Sequence, residues 1–180
     1  LVTDHIDKTI SSSKNNNEIL YILCDSEYEL IQKFTDYIYN YKKPNESYNH
    51  FNNNTRLIHW GYIEYNIFNK KLHKHKLTDR KYNLNWYDLC TVFKNNKYPI
   101  IIKDCFNFSL KTIINKLTEY KLLNISWNTI DDGLLSSFVA NDIYNKNLKC
   151  EKIINLVDYN YIDCKSIFEL LTFMRKYIKK

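Results

Sequence analysis

Tyr159 and Asp163 stand one helical turn apart in the stretch Tyr159-Asn160-Tyr161-Ile162-Asp163, and no other pair in the chain points so directly to chemistry. In a helix, Tyr159, Asp163, Ile167, Leu170 and Met174 share one face at i, i+3 and i+4 steps, and Asp163 is the only charge in that stripe. A carboxylate on a packing face loses its hydration, so it must be protonated, paired with a cation, or used to hold a metal. The alternative is structural: a partly exposed helix end where Asp163 bonds a backbone group or a lysine. Both readings stand open on this stripe alone.

A second acid, Glu64, follows the apolar run Arg56-Leu57-Ile58-His59-Trp60 within the first turn of a helix expected from about Tyr62. In open sheets flanked by helices, active-site acids gather where strands end and helices begin. A solvated acid facing the helix dipole would look the same in sequence. His73 and His75 are two residues apart, share no helical face and sit among Lys70, Lys71, Lys74 and Lys76. They read as a basic surface rather than a metal site, with a solvated lysine face as the default over a nucleic-acid track. Asp88 and Asp104 take no role from sequence. Gly133 after Asp131-Asp132 marks a helix start rather than a phosphate loop.

The elements that must position these residues follow from periodicity. The opening to Asn17 is polar and loop-like, and Glu18 to Cys24 suits a strand. Asp25-Ser26 offers caps for a helix carrying Tyr28, Leu30, Ile31, Phe34, Tyr37 and Ile38. Lys42 to Asn54 reads as a loop and Arg56 to Trp60 as a second strand. Trp86-Tyr87-Asp88-Leu89 either ends a strand or opens a short helix. Pro99-Ile100-Ile101-Ile102 predicts an extended buried segment. Asn107 or Ser109 can cap a helix with Leu110, Ile113, Ile114, Leu117 and Tyr120 on its apolar face. Asp131-Asp132 can cap another carrying Leu134, Leu135, Phe138, Val139 and Ile143, and the last long helix runs from about Glu151 to Ile178. Strands early and helices late describe an α/β or α+β layer fold, with no internal repeat.

At 180 residues and 44% hydrophobic content the chain can build one sizeable core, so a single domain over residues 1–180 is expected. Lysine and arginine outnumber acids 26 to 20, a net +6 compatible with a polyanionic partner but too small to require one. Cys24, Cys90, Cys105, Cys150 and Cys164 are odd in number and form no C-x-x-C pair. That signals neither a disulfide framework nor zinc, and points to a reducing intracellular compartment. No apolar run reaches membrane-spanning length, so no membrane partner is expected. The chain opens at Leu1 rather than methionine, so upstream residues and further domains of a longer polypeptide are expected.

Four segments in order carry a resemblance: Leu57-Ile58-His59-Trp60-Gly61-Tyr62-Ile63-Glu64, Trp86-Tyr87-Asp88-Leu89, Phe106-Asn107-Phe108-Ser109-Leu110-Lys111, and Tyr159-Asn160-Tyr161-Ile162-Asp163-Cys164. Together they are similar to the YprB-type ribonuclease-H-like nucleases, in the branch of the DEDD exonuclease superfamily with a tyrosine in its last motif. Viral members from AT-rich genomes are the most alike. The likeness spans about Leu57 to Lys180, and the order of the motifs is more specific than any one of them.

The resemblance implies a ribonuclease-H-like α/β fold, a mixed sheet flanked by helices, with or without its first strand. It implies 3′–5′ hydrolysis of DNA or RNA phosphodiester bonds with Mg2+ or Mn2+, two ions held by four carboxylates. Carried over, Asp163 is the last metal-ligating acid and Tyr159 orients the attacking water. Glu64 occupies a metal-ligand place usually held by aspartate, one methylene longer. His59, Trp60, Ser109 and Lys111 become nucleic-acid contacts. The cell compartment would be the cytoplasm or a viral factory.

The family's first motif is an Asp-x-Glu pair on the first strand. Asp25-Ser26-Glu27 is the only pair of that pattern here, and it leads directly into a helix where the family pattern has two further strands between. Asp4 lies in a short run but has Ile6 where the glutamate belongs. The true pair therefore precedes Leu1 or is degenerate. If two of four ligands are missing, hydrolysis falls by orders of magnitude. The alternatives are a catalytically inactive ribonuclease-H-like module that binds nucleic acid or a protein, and a purely structural interaction domain.

Overall fold

A computed structural model describes residues 10–11, 18–19, 24, 26–40, 56–127, 133–146 and 152–177. The chain divides into two compact units, Leu1–Val92 and Phe93–Lys180.

In the first unit, β1 (Ile10–Ser11) pairs antiparallel with β2 (Glu18–Ile19), in the register Ile10↔Ile19 and Ser11↔Glu18. The polar opening thus contributes a strand at Ile10–Ser11 where only loop is expected. The rest of that opening, Leu20 to Leu23, Asp25 and the loop at Lys42 to Asn54 lie outside the described residues. Helix α1 (Glu27–Asn40) starts where the capping residues predict, with the Ser26 hydroxyl accepting from the Glu29 amide at 3.2 Å. Glu27 and Glu29 in its first turn complement the positive end of the helix dipole.

Strand β3 (Leu57–His59) and strand β4 (Trp86–Asp88) pair in parallel, Leu57 opposite Trp86 and His59 opposite Asp88. Parallel neighbours need a crossover, and helix α2 (Ile63–Lys74) with a 3-10 turn at Arg80–Tyr82 supplies it. Gly61 turns the chain from β3 into α2 with φ of +82°, and a side chain there would meet nothing within 4 Å. Glycine is needed for the backbone conformation, not for space. The fork at Trp86 to Leu89 resolves both ways: three residues of strand, then the short helix α3 (Cys90–Phe93). Asp88 makes that possible. Its Oδ1 accepts from the Cys90 amide at 2.9 Å, starting α3, and from the Gly61 amide at 2.8 Å, joining the ends of both strands. Ile31, Tyr82, Leu84, Leu89 and Cys90 are buried.

In the second unit, helix α4 (Leu110–Glu119) is capped by Ser109, whose Oγ accepts from the Thr112 amide at 3.1 Å. Asn107 supports the cap by accepting from the Ser109 amide at 2.9 Å. Both proposed capping residues therefore act, in series. Ile113, Ile114 and Leu117 fill the core with Phe93, Ile125 and Leu170, as the helical period predicts. Helix α5 (Gly133–Lys146) and helix α6 (Lys152–Tyr177) lie together, and α4 also packs on α6. Gly133 opens α5 as expected, while Asp131 and Asp132 lie outside the described residues.

One packing expectation is corrected. Pro99 to Ile102 forms no strand, and Ile101 is 77% exposed. Pro99 brings no amide, the chain turns at Lys103-Asp104 with Asp104 at a φ of 58°, and no strand pairs with this segment among the described residues. On α5, Leu134 and Phe138 are each 64% exposed and the small Ser136 is buried instead. Helix α5 packs on α6, and the buried position on it carries a small side chain. The described residues are helix-rich with a small parallel sheet, within the α/β class expected.

Asp88→Ala removes one acceptor from two backbone amides and should cost about 1–3 kcal/mol of stability by urea unfolding. Asp88→Asn, which keeps an acceptor oxygen, should recover part of that loss.

Candidate functional site

In the second unit, α6 places Tyr159 and Asp163 one turn apart, and the Asp163 carboxylate is half-buried. Its Oδ1 accepts a hydrogen bond from Trp127 Nε1 at 2.9 Å. Burial pushes its pKa up, opposed by the Trp127 bond, by the positive charge of Lys111 and by a hydrogen bond with Tyr159. Desolvation wins over all three. Lys111, from the first turn of α4, sets its ammonium over the Trp127 ring, 5.2 Å from the centroid. The Nζ atom is buried and has no hydrogen-bond partner. Trp127 thus meets an anion with its N–H edge and a cation with its π face, the two polarities its quadrupole favours.

The lone charge on an apolar stripe has therefore found neutral donors and a nearby cation. Tyr159, placed by resemblance to orient water, directs its hydroxyl to Asp163 here. Ser109 uses its hydroxyl as a helix cap and shares a 2.7 Å contact with Thr112 Oγ1. Sequence reasoning missed Trp127. The available signal was indirect: a partly buried indole needs an acceptor, Leu123, Ile125 and Trp127 alternate, and Asp163 was an acid without an assigned donor.

In the first unit, His59, Trp60 and Glu64 gather at the β3–α2 turn. His59 is buried, its ring packs edge-on against Trp86 at 5.4 Å, and its Nδ1 has no hydrogen-bond partner. Glu64 Oε2 lies 3.8 Å from that Nδ1, within ion-pair reach of a protonated imidazole but too far for a hydrogen bond. The Glu64 side chain is 55% exposed, so it stays well hydrated. Asp88, at the end of β4, is taken up by Gly61 and Cys90.

Glu27, from the Asp-x-Glu pair, starts α1, as its place in the sequence predicts. Its carboxylate accepts from Lys71, from Lys74 Nζ at 2.9 Å and meets His75 Nε2 at 2.8 Å. Hydrogen bonding by Lys71 first, then by Lys74 and His75, holds its pKa down at about 2. The lysine-rich end of α2 is therefore not simply a solvated face. Three of its basic groups converge on one acid of α1. Asp25 and Asp4 lie outside the described residues. An apolar groove of about 580 Å³ is lined by Phe34 of α1, Ile67 and Phe68 of α2, and Trp86, and Glu27 and Glu64 both border it.

Among the described residues, no three or more His, Cys, Asp or Glu side chains are grouped to hold a metal ion. Asp163 fits one place in the Mg2+ or Mn2+ site that the resemblance implies: it is a hard oxygen donor whose charged form is short of compensation. The described residues complete no ligand set around it. Also among them, no helix is long and apolar enough to cross a membrane. No protein-family model, curated protein or solved structure matches the chain.

Trp127→Phe keeps the ring but removes the donor, leaving a half-buried carboxylate short of a partner. It should destabilise the fold by about 1–3 kcal/mol, read by chemical denaturation. Glu27 sets an acid limit. Its folded pKa of about 2 lies below the ordinary 4.5, so on acidification the unfolded chain takes up this proton first. The contribution is fully present above pH 4.5 and is lost as pH falls toward about 2. Melting temperatures across that window should fall less steeply in Glu27→Gln than in the unsubstituted chain.

Proposed function

We propose that this chain is a ribonuclease-H-like nuclease domain of the DEDD type, acting on nucleic acid from the 3′ end with Mg2+ or Mn2+. The observation that carries this reading is the Tyr159–Asp163 pair, one turn apart on α6, with a carboxylate whose burial is not fully compensated. A divalent cation stabilises such a charge more than an indole N–H can. The parallel β3–α2–β4 unit, which sets His59, Trp60 and Glu64 at the end of a strand, supports the same reading.

When bound, divalent ions supply water activation and neutralise charge on the scissile phosphate. In this reading, the chain's own residues hold and orient. Trp127 fixes one oxygen of Asp163, which limits the directions from which the other can be approached. Tyr159 keeps a hydroxyl beside that carboxylate. Lys111 contributes positive charge close to it. Glu64, in the first unit, is a further acid to which the resemblance gives a metal-ligand role.

One observation favours a second reading, a ribonuclease-H-like module without activity that binds nucleic acid or a protein: Asp163 already has partners inside its own unit. Manganese titration separates the two, read by thermal stability and by cleavage of an oligonucleotide labelled so that 3′ shortening is visible. The nuclease reading expects a manganese-dependent rise in melting temperature that Asp163→Asn abolishes. It also expects cleavage that falls by orders of magnitude in Asp163→Asn and in Glu64→Gln. Melting shifts and cleavage that are the same in Asp163→Asn would overturn the assignment, and manganese binding without cleavage supports the inactive module.

A further inference from the structure

The connection between α3 and α4 holds large side chains in water on an ordered backbone. Tyr98 is 73% exposed, Ile101 77% and Phe106 95%. The backbone beneath them is tied at several points. Asn95 Oδ1 accepts from the Lys97 and Tyr98 amides, both at 2.9 Å, and the Ile100 amide donates to Phe93 O at 3.2 Å. Tyr120 Oη donates to Lys103 O at 2.9 Å, and the Cys105 amide donates to Ile102 O at 3.1 Å. A loop free to collapse would cover such rings. This one is held open.

Charge narrows what covers them. From Phe93 to Phe108 the chain carries Lys94, Lys97 and Lys103, all exposed, against a single acid, Asp104. The Lys97 ammonium lies over the Tyr98 ring, 5.3 Å from its centroid. Helix α4 begins where this connection ends, with no acid in its first turn, so the positive end of its dipole adds to the same sign. Protein-binding surfaces are depleted in lysine, whereas single-stranded nucleic-acid sites combine a basic track with rings on which bases stack.

We propose that the connection from Lys94 to Phe108 is a stacking platform for the bases of single-stranded nucleic acid. Phe106 and Tyr98 supply ring faces, and Lys94, Lys97 and Lys103 meet the phosphates. This rests on the reading that the chain acts on nucleic acid and names the form it takes. Stacking is indifferent to base identity because every base has a π face, so binding is sequence-tolerant.

The test uses the whole chain in EDTA, with fluorescence anisotropy of labelled oligodeoxythymidine and of an abasic strand of equal length. Phe106→Ala should weaken oligodeoxythymidine binding about tenfold. It should leave the abasic strand unchanged, and Phe106→Tyr should restore affinity. Lys103→Gln should weaken both strands alike and reduce the slope of log affinity on log salt by about 0.7. Equal binding of the two strands, or affinity untouched by both Phe106→Ala and Tyr98→Ala, overturns the platform, as does failure to bind any single strand. Cleavage with manganese is scored separately. Ring-dependent binding without cleavage leaves the platform standing and removes the exonuclease reading, and cleavage with ring-independent binding does the reverse.

Discussion

The second unit depends on how a carboxylate survives on a packing face. Asp163 cannot leave the face, because Ile167 and Leu170 below it on α6 follow the core-facing period and Leu170 is fully buried. Desolvating an ion costs several kcal/mol, whereas a hydrogen bond to a charged group returns about 1.5–3 kcal/mol. Desolvation outweighs the Trp127 and Tyr159 hydrogen bonds and the Lys111 charge, and it pushes the carboxylate's pKa up. Lys111 brings opposite charge nearby while spending its own contact on the Trp127 ring. The arrangement ties α4, the Trp127 segment and α6 together through one indole. It also leaves a carboxylate whose charged form is disfavoured by burial, and the role proposed for it starts there.

The first unit is governed by a different acid. Asp88 closes the ends of β3 and β4 by accepting from the amides that follow each strand, so its carboxylate is a structural element rather than a reagent. That bond holds the Gly61 turn, and the turn sets the start of α2 and with it Glu64. The far end of α2 is held by Glu27, which gathers Lys71, Lys74 and His75 onto the start of α1. Exposed ion pairs contribute little individually. Two ammonium groups and an imidazole on one carboxylate still specify which end of α2 faces α1, and the groove lined by Phe34, Phe68 and Trp86 lies along those helices.

Two sets of exposed apolar groups differ in origin. On α5, Leu134 and Phe138 are left in solvent because a buried serine sets the contact side. Between α3 and α4, Tyr98, Ile101 and Phe106 are left there by a backbone pinned through Asn95 and Tyr120. Only the second kind is interleaved with lysines, and that difference in neighbours separates a by-product of packing from a surface suited to a polyanion.

Much was legible in the amino-acid sequence alone, because it depends on neighbours along the chain. Ser26 and Ser109 marked helix starts, and the 3.6-residue period located α4 and α6. The same locality made Tyr159 and Asp163 recognisable as a pair and made Glu27 readable as a helix-starting acid. What pairs across distance was not legible. Trp127 lies far in sequence from Asp163, Glu27 far from Lys71, and Gly61 far from Asp88, and no periodicity links such positions. The β-branched run at Ile100 to Ile102 misled for the same reason, since a strand is defined by a partner and propensity cannot supply one. Composition and spacing determined which residues were able to act. Only the tertiary structure decided which donors each acid faces, because desolvation and hydrogen bonding are set by whatever surrounds a group in space.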